Sequence, residues 1–256
     1  MFNSYFTKAF TAIIFLFLMV QVSAQDKNLL LKEAKDLELK FDEAGALEKY
    51  KQIVSADSSD IFSLEKCAEL NCSIGERQRD KKVKATYFNT AEVYAQNAYQ
   101  QNSNDADACY AMALVAAKKT EVEDDNKKVL EDVKQIKIYA DKALAVNPNH
   151  AKANYILGKW HFELIHSSWL KRGEIKRFYN AIPDTQIDSA AYYMEKSRVA
   201  DPYYALDYLE LAKVYQYNHQ PAKAIDVLNK LVKLPNRTFD DAAIKEEGKK
   251  MLAEMQ

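Results

Sequence analysis

Glycine is scarce in this chain, with five residues in 256, at positions 45, 75, 158, 173 and 248. Scattered singly, they cannot build a Gly-rich phosphate-binding loop. Proline is equally rare, again five residues. An all-β protein needs both residue types at its many turns, so the shortage points to long helices joined by short connections. An excess of either charge is missing as well: 36 basic residues face 37 acidic ones. That balance argues against nucleic acid as a partner, because such binding depends on neutralising phosphates. Metal motifs are absent too. There is no HExxH and no CxxC, and His161 and His166 stand five apart, whereas helical zinc pairs stand four apart. Glu163 falls on the opposite side of that helix. His161 is read instead as filling a tyrosine position in a helical core. His150 and His219 fall in loops with no partner nearby in sequence. No cofactor is expected, and the chain is not expected to be an enzyme.

Cysteine is also thin, at Cys67, Cys72 and Cys109. On one helix Cys67 and Cys72 would hold their Cα atoms about 8 Å apart, beyond disulfide reach. A bond from either to Cys109 is one reading, and three small buried hydrophobes is the other. Each cysteine falls on an apolar stripe, which argues against a nucleophilic thiol.

Long apolar runs are confined to the first residues. Lys8 precedes an apolar run from Ala9 to Val20, followed by Val22-Ser23-Ala24 with small residues where a signal peptidase reads. The run is short of the roughly 20 residues that span a bilayer. Residues 1–24 are therefore read as a secretory signal and Gln25 as the first mature residue, with no cysteine there to carry a lipid. The mature chain, having lost only Lys8, has 35 basic and 37 acidic residues. It is expected in the periplasm or outside the cell, and not as an integral membrane protein.

What is abundant is alanine at regular spacing. Residues 140–164 read ADKALAVNPNHAKANYILGKWHFEL: an Ala-rich helix, a stop at Asn147-Pro148, and a second helix with Leu157-Gly158 at its middle. This resembles the tetratricopeptide repeat. A small residue in the first helix is followed twelve places on by another, then by apolar or small residues at four and three further places, then by a helix stop. Ala34, Ala46, Tyr50, Ile53 and Ser58 fit without a gap. So do Ala212, Ala224, Leu228 and Leu231, with Pro235 one place early, while Tyr208, Leu211 and Tyr215 add the aromatic-Leu-Tyr spacing. Three middle frames open at Ala68, Ala113 and Gly158 and close on Ala91-Ala95-Ala98, Ile136-Ala140-Ala143 and Ala190-Met194-Ser197. Five units result, at 27–60, 61–105, 106–150, 151–204 and 205–238, within one domain over 25–256. Two carry 11 extra residues, three helical turns, which keeps the buried face in phase. Their second helices are expected over Arg79 to Gln101 and Asp125 to Val146. A capping helix within 239–256 is expected to start at the Asp240-Asp241 pair, with Ile244, Met251 and Leu252 inward. The expected fold is all-α, a tetratricopeptide-like helical-hairpin solenoid with a C-terminal capping helix.

The last hundred residues are more specific. Leu157-Gly158-Lys159-Trp160 is followed by Ser168-Trp169-Leu170, an insertion ending at Ile182-Pro183, a helix from Ala190 to Pro202, Leu211-Ala212-Lys213-Val214-Tyr215, and Leu234-Pro235 before the acidic pair. This order resembles the regulator of microtubule dynamics protein family, a tetratricopeptide-like group. The resemblance implies the repeat architecture and makes the Trp160–Pro183 insertion a family feature. Its microtubule role belongs to the eukaryotic cytosol and does not carry over to an exported chain.

Two regions are candidate partner sites. The insertion holds Lys171, Arg172, Lys176 and Arg177, followed by Phe178 and Tyr179, with Trp169 as an anchor; basic groups at four-residue spacing share a helix face and suit an anionic partner. The first helices of the units line the groove in such solenoids. They offer Leu31, Lys35, Phe62, Glu69, Tyr110 and Leu114 in the first three units, then Tyr155, Lys159, Phe162, Leu209, Lys213 and Gln216. This mix suits an extended peptide with some acidic character. The leading reading is a non-catalytic interaction scaffold of the cell envelope that binds a protein or peptide in a concave groove. The alternative is a carrier of an apolar small ligand or lipid between the helices. Export is directly measurable: the intact mass of the protein recovered outside the cytoplasm should correspond to a chain starting at Gln25, and a soluble cytoplasmic form retaining residues 1–24 would refute the signal.

Overall fold

A computed structural model describes residues 26–166 and 185–255. Among these, every element is helical and no strand occurs. Helix α1 covers 26–39, and α2 (Glu43–Ala56), α3 (Ile61–Glu76), α4 (Lys81–Gln101), α5 (Ala106–Lys119), α6 (Asn126–Val146) and α7 (Ala151–His166) follow. Beyond the undescribed stretch come α8 (Ile187–Ala200), α9 (Ala205–Tyr217), α10 (Pro221–Leu231) and α11 (Asp241–Glu254). Consecutive helices pair as hairpins, and each hairpin packs on the next.

The spacing residues explain the pairing. Ala34, Ala68, Ala113 and Ala212 are fully buried at the middle of α1, α3, α5 and α9. Their counterparts across each hairpin are buried as well: Ala46, Tyr50 and Ile53; Ala91, Ala95 and Ala98; Ile136, Ala140 and Ala143; Ala190, Met194 and Ser197; Ala224, Leu228 and Leu231. In α7 the middle position is Gly158. A Cβ there would lie 2.7 Å from Met194 Cγ and 3.0 Å from the Ala190 carbonyl oxygen. The α7–α8 crossing is therefore set by backbone contact.

The connections repeat too. After α2, α4, α6 and α8 an Asx turn recurs, in which Asp57, Asn102, Asn147 and Asp201 accept from the backbone N–H two residues on at 3.0–3.1 Å. The carbonyl of the same residue accepts from the N–H three residues on. Asp60, Asp105 and His150 then cap the next helix through Ser63, Ala108 and Ala153 N–H groups at 2.7, 2.9 and 3.1 Å. The two 34-residue hairpins turn on a left-handed residue at the same register, Phe41 at φ 60° and His219 at φ 55°. A residue other than glycine costs about 1–2 kcal/mol there, so the glycine shortage shows as local strain.

Two expectations change at the C-terminal end. Asp240 does not cap α11 with its side chain; its carboxylate accepts from Arg77 Nη1 at 2.7 Å. Asp241 instead ties down the preceding turn, accepting from Arg237 N–H, Thr238 N–H and the Thr238 hydroxyl at 2.6, 2.9 and 2.6 Å. Met251 is buried beneath α11, with Ile244 and Leu252 packed beside it. The three cysteines are buried free thiols in three different stretches of the core. No described helix is long and apolar enough to cross a membrane.

Gly158→Leu should overpack the α7–α8 crossing and cost ~1–3 kcal/mol or more. A melting temperature equal to the parent's would mean the two helices do not cross there.

Candidate functional site

The array curls tightly. Lys152 at the start of α7 reaches Glu69 of α3, two hairpins back. Contacts across that interval form only on the inside of a curve, so α3, α5, α7 and α9 line the concave face. At the rim the curl closes on itself. Arg77, at the end of α3, pairs with Glu43 at the start of α2 and with Asp240 at the start of α11, and its guanidinium lies 4.5 Å from the Phe239 ring centroid.

Two charged clusters occupy the inner face. In the first, Glu69 accepts from the Tyr110 hydroxyl at 2.8 Å and pairs with Lys152 and with Lys66 at 3.5 Å. Lys66 also reaches Glu38 at 3.2 Å, and Glu38 accepts from the Tyr50 hydroxyl. Glu65 stands beside Glu69. Burial, and then the charge of Glu69, raise the Glu65 carboxyl well above its ordinary range. Burial works the same way on Glu69, but Lys152 and Lys66 more than offset it and keep that carboxylate ionised. In the second cluster Glu210, almost wholly buried, lies between Lys159 and Lys213. Lys159 adds Glu163 at 2.9 Å and Lys213 adds Glu247 at 2.9 Å. Water still reaches part of this lining: the Lys152 and Lys159 side chains are 38% and 34% exposed although protein surrounds both on most sides.

The groove candidates therefore divide. Tyr110, Glu69, Lys159 and Lys213 are drawn into the two clusters, and the positive charges of Lys159 and Lys213 are already met by carboxylates. Tyr155 is buried edge to face with Tyr204, and Phe162 is buried against His166 and Tyr217. Leu209 is core, Leu31 and Leu114 are half-buried, and Lys35, Phe62 and Gln216 are exposed. Lys171, Arg172, Lys176 and Arg177, with Trp169, Phe178 and Tyr179, lie outside the described residues. Sequence reasoning missed Glu65, Lys66, Lys152, Tyr204 and Arg77. A signal existed for the first three: charged residues within helices whose other faces are apolar.

His150, read as a partnerless loop residue, stacks near Tyr110 and meets Asp107 at 2.9 Å while its other ring nitrogen caps α7. His161 is core, as its tyrosine-like position implied. Burial pushes the Cys67 thiol up to about 12 and raises those of Cys72 and Cys109, so none is poised as a thiolate. Among the described residues no cluster of histidine, cysteine and carboxylates is arranged for a metal.

Asp207, in the first turn of α9, is wholly buried and neither carboxyl oxygen has a hydrogen bond; the Ser197 hydroxyl is close but outside bonding geometry. Burial raises its pKa well above the ordinary value. The native state thus holds a proton that the unfolded chain releases near pH 4. The resulting stability is complete below that pH and is lost as pH rises towards the native pKa. Asp207→Asn should remove the loss, raising the melting temperature at pH 8 more than at pH 4, by about 1 kcal/mol or more in stability. Equal changes at both pH values would contradict this.

Comparison with known proteins follows the same lines. The family model for regulator of microtubule dynamics protein 1-3 matches residues 30–256. Regulator of microtubule dynamics protein 1 of Pongo abelii is 24% identical over 215 residues, covering 82% of this chain and 68% of the relative. The Homo sapiens protein 1 is 27% identical over 118 residues, 46% of this chain and 38% of the relative. Protein 3 of Xenopus laevis is 25% identical over 171 residues, 66% and 36%. The chain thus spans little more than a third of two of these relatives. Among solved structures, a thermophilic TPR protein of Thermus thermophilus superposes with a TM-score of 0.64 at 13% identity, covering 87% of this chain and 98% of that one. At that identity the likeness speaks for the tetratricopeptide solenoid fold alone.

Proposed function

The chain belongs to the regulator of microtubule dynamics protein 1-3 family, and on that premise we propose a non-catalytic scaffold of the cell envelope that binds a protein or peptide partner along its concave face. The observation that carries this is the convergence of four first helices on a shared, partly solvated lining. A rigid curved array presents side chains at successive hairpins, so an extended partner needs little rearrangement of its receptor. A lining of ion pairs and tyrosine hydroxyls favours a peptide over an apolar ligand, whose burial would strand those charges. The location rests on the order of residues 1–24, a lone charge, an apolar run and small residues. In the envelope the partner would differ from the microtubules for which the relatives are named. The basic residues of the insertion, Lys171, Arg172, Lys176 and Arg177, would recognise an anionic group of that partner.

Site-directed photo-crosslinking in cells tests the reading. A photoreactive residue at Gln216, exposed on α9, should capture a discrete protein partner, while one at Val93, exposed on α4, should not. Neutralising Lys171, Arg172, Lys176 and Arg177 together should weaken capture and leave the melting temperature nearly unchanged. Equal capture from both positions, or none from position 216, would overturn the concave-face scaffold.

A further inference from the structure

Arg77 joins the two ends of the array. Among the described residues, its contacts with Asp240 and Phe239 are the only hydrogen bond, ion pair or ring contact between α1–α4 and residues 201–255. Each end otherwise has its own packing: the apolar core around α2 and the one around α9 share no residue. The two halves of the Arg77 contact differ. Glu43 stands at the start of α2, which packs directly on α3, and its side chain is mostly buried, so that ion pair is local. Asp240 and Phe239 belong to the far end, with the Asp240 side chain 42% exposed and Phe239 54% exposed. The turn that carries them is preformed, because Asp241 accepts from Arg237 N–H, Thr238 N–H and the Thr238 hydroxyl. A fixed receptor on one end therefore meets a rigid, half-exposed aromatic-acidic pair on the other.

We propose that Arg77 with Asp240 and Phe239 forms a releasable clasp, so that the curl of the array has a closed and an open setting governed by one guanidinium. Release strands no charge. Asp240 begins α11 and Glu43 begins α2, and the N-terminal end of a helix favours a carboxylate. Arg77 follows the C-terminal end of α3, which favours a cation, and it keeps Glu43 as its partner. Phe239 is half-exposed when closed, so opening brings little further apolar surface into water. The closed form is held by a partly exposed ion pair and a cation–π contact, each individually weak, and salt screens the first. The clasp is a property of the chain by itself and goes beyond the scaffold reading. A partner on the concave face would bias it only by binding one setting more tightly than the other.

Energy transfer within the purified full chain tests the clasp, with donor and acceptor dyes on click-reactive residues at the exposed positions 83, at the start of α4, and 250, on α11. Transfer should be high at about 0.01 M salt, where charges act over roughly 30 Å, and should fall at about 1 M, where their reach is roughly 3 Å. Asp240→Asn and Phe239→Ala should each raise the open population about threefold or more at low salt, and Asp240→Asn should also remove most of the salt response. Both residues are half-exposed, so an unchanged melting temperature will accompany the change in transfer. Lys230→Gln, which loses an exposed ion pair with Asp226 within α10, should behave as the parent does. Parental transfer at low salt in both clasp variants, or an equal fall with salt in the parent and in Asp240→Asn, would overturn the clasp and leave the curl to packing alone.

Discussion

Close approach of two helices at a residue with no side chain beyond Cβ is the constraint from which the rest follows. Ala34, Ala68, Ala113, Gly158 and Ala212 hold that place in successive hairpins. A larger residue would push the helices apart and leave voids that a close-packed interior does not tolerate. The identical Asx turns between hairpins then orient each pair on the next in the same way. Small repeated rotations accumulate into curvature. The curvature brings α7 against α3 and sets Arg77 beside Asp240, 163 residues along the chain.

The inner face is polar and almost self-neutralising. Ion pairs so sheltered add little net stability, because desolvation cancels much of their attraction, yet removing one partner costs about 3–5 kcal/mol. Their role here is positional. Glu69 accepts only when α3, α5 and α7 stand in register, and Glu210 sits between lysines of α7 and α9. Each cluster thus links hairpins that the apolar core joins less specifically. A scaffold gains from this, since its recognition surface stays shaped without a ligand.

The charge inventory also bears on partner choice. Lysines counted from sequence suggested a receptor for acidic peptides. In the folded chain Lys159 and Lys213 are already paired with Glu210, and Lys152 with Glu69.

The sequence alone determined the helices and their partners. Periodicity of small and apolar residues is a local signal, and a three-turn extension preserves it, so α4 and α6 start within two residues of their expected positions. Burial of Tyr50, Met194 and Leu228 followed from the same spacing. The family could be read as well, from the Leu-Gly-Lys-Trp element and its order with the later motifs. Only the tertiary structure decided which charges meet. Lys152 and Glu69 are 83 residues apart, and no periodicity links them. Their contact depends on the summed rotation of two hairpins, a quantity that no single segment encodes. The same holds for Arg77 and Asp240, where a residue expected to cap its own helix instead closes the curl. Local pattern writes the hairpins, and accumulated geometry writes the inner face.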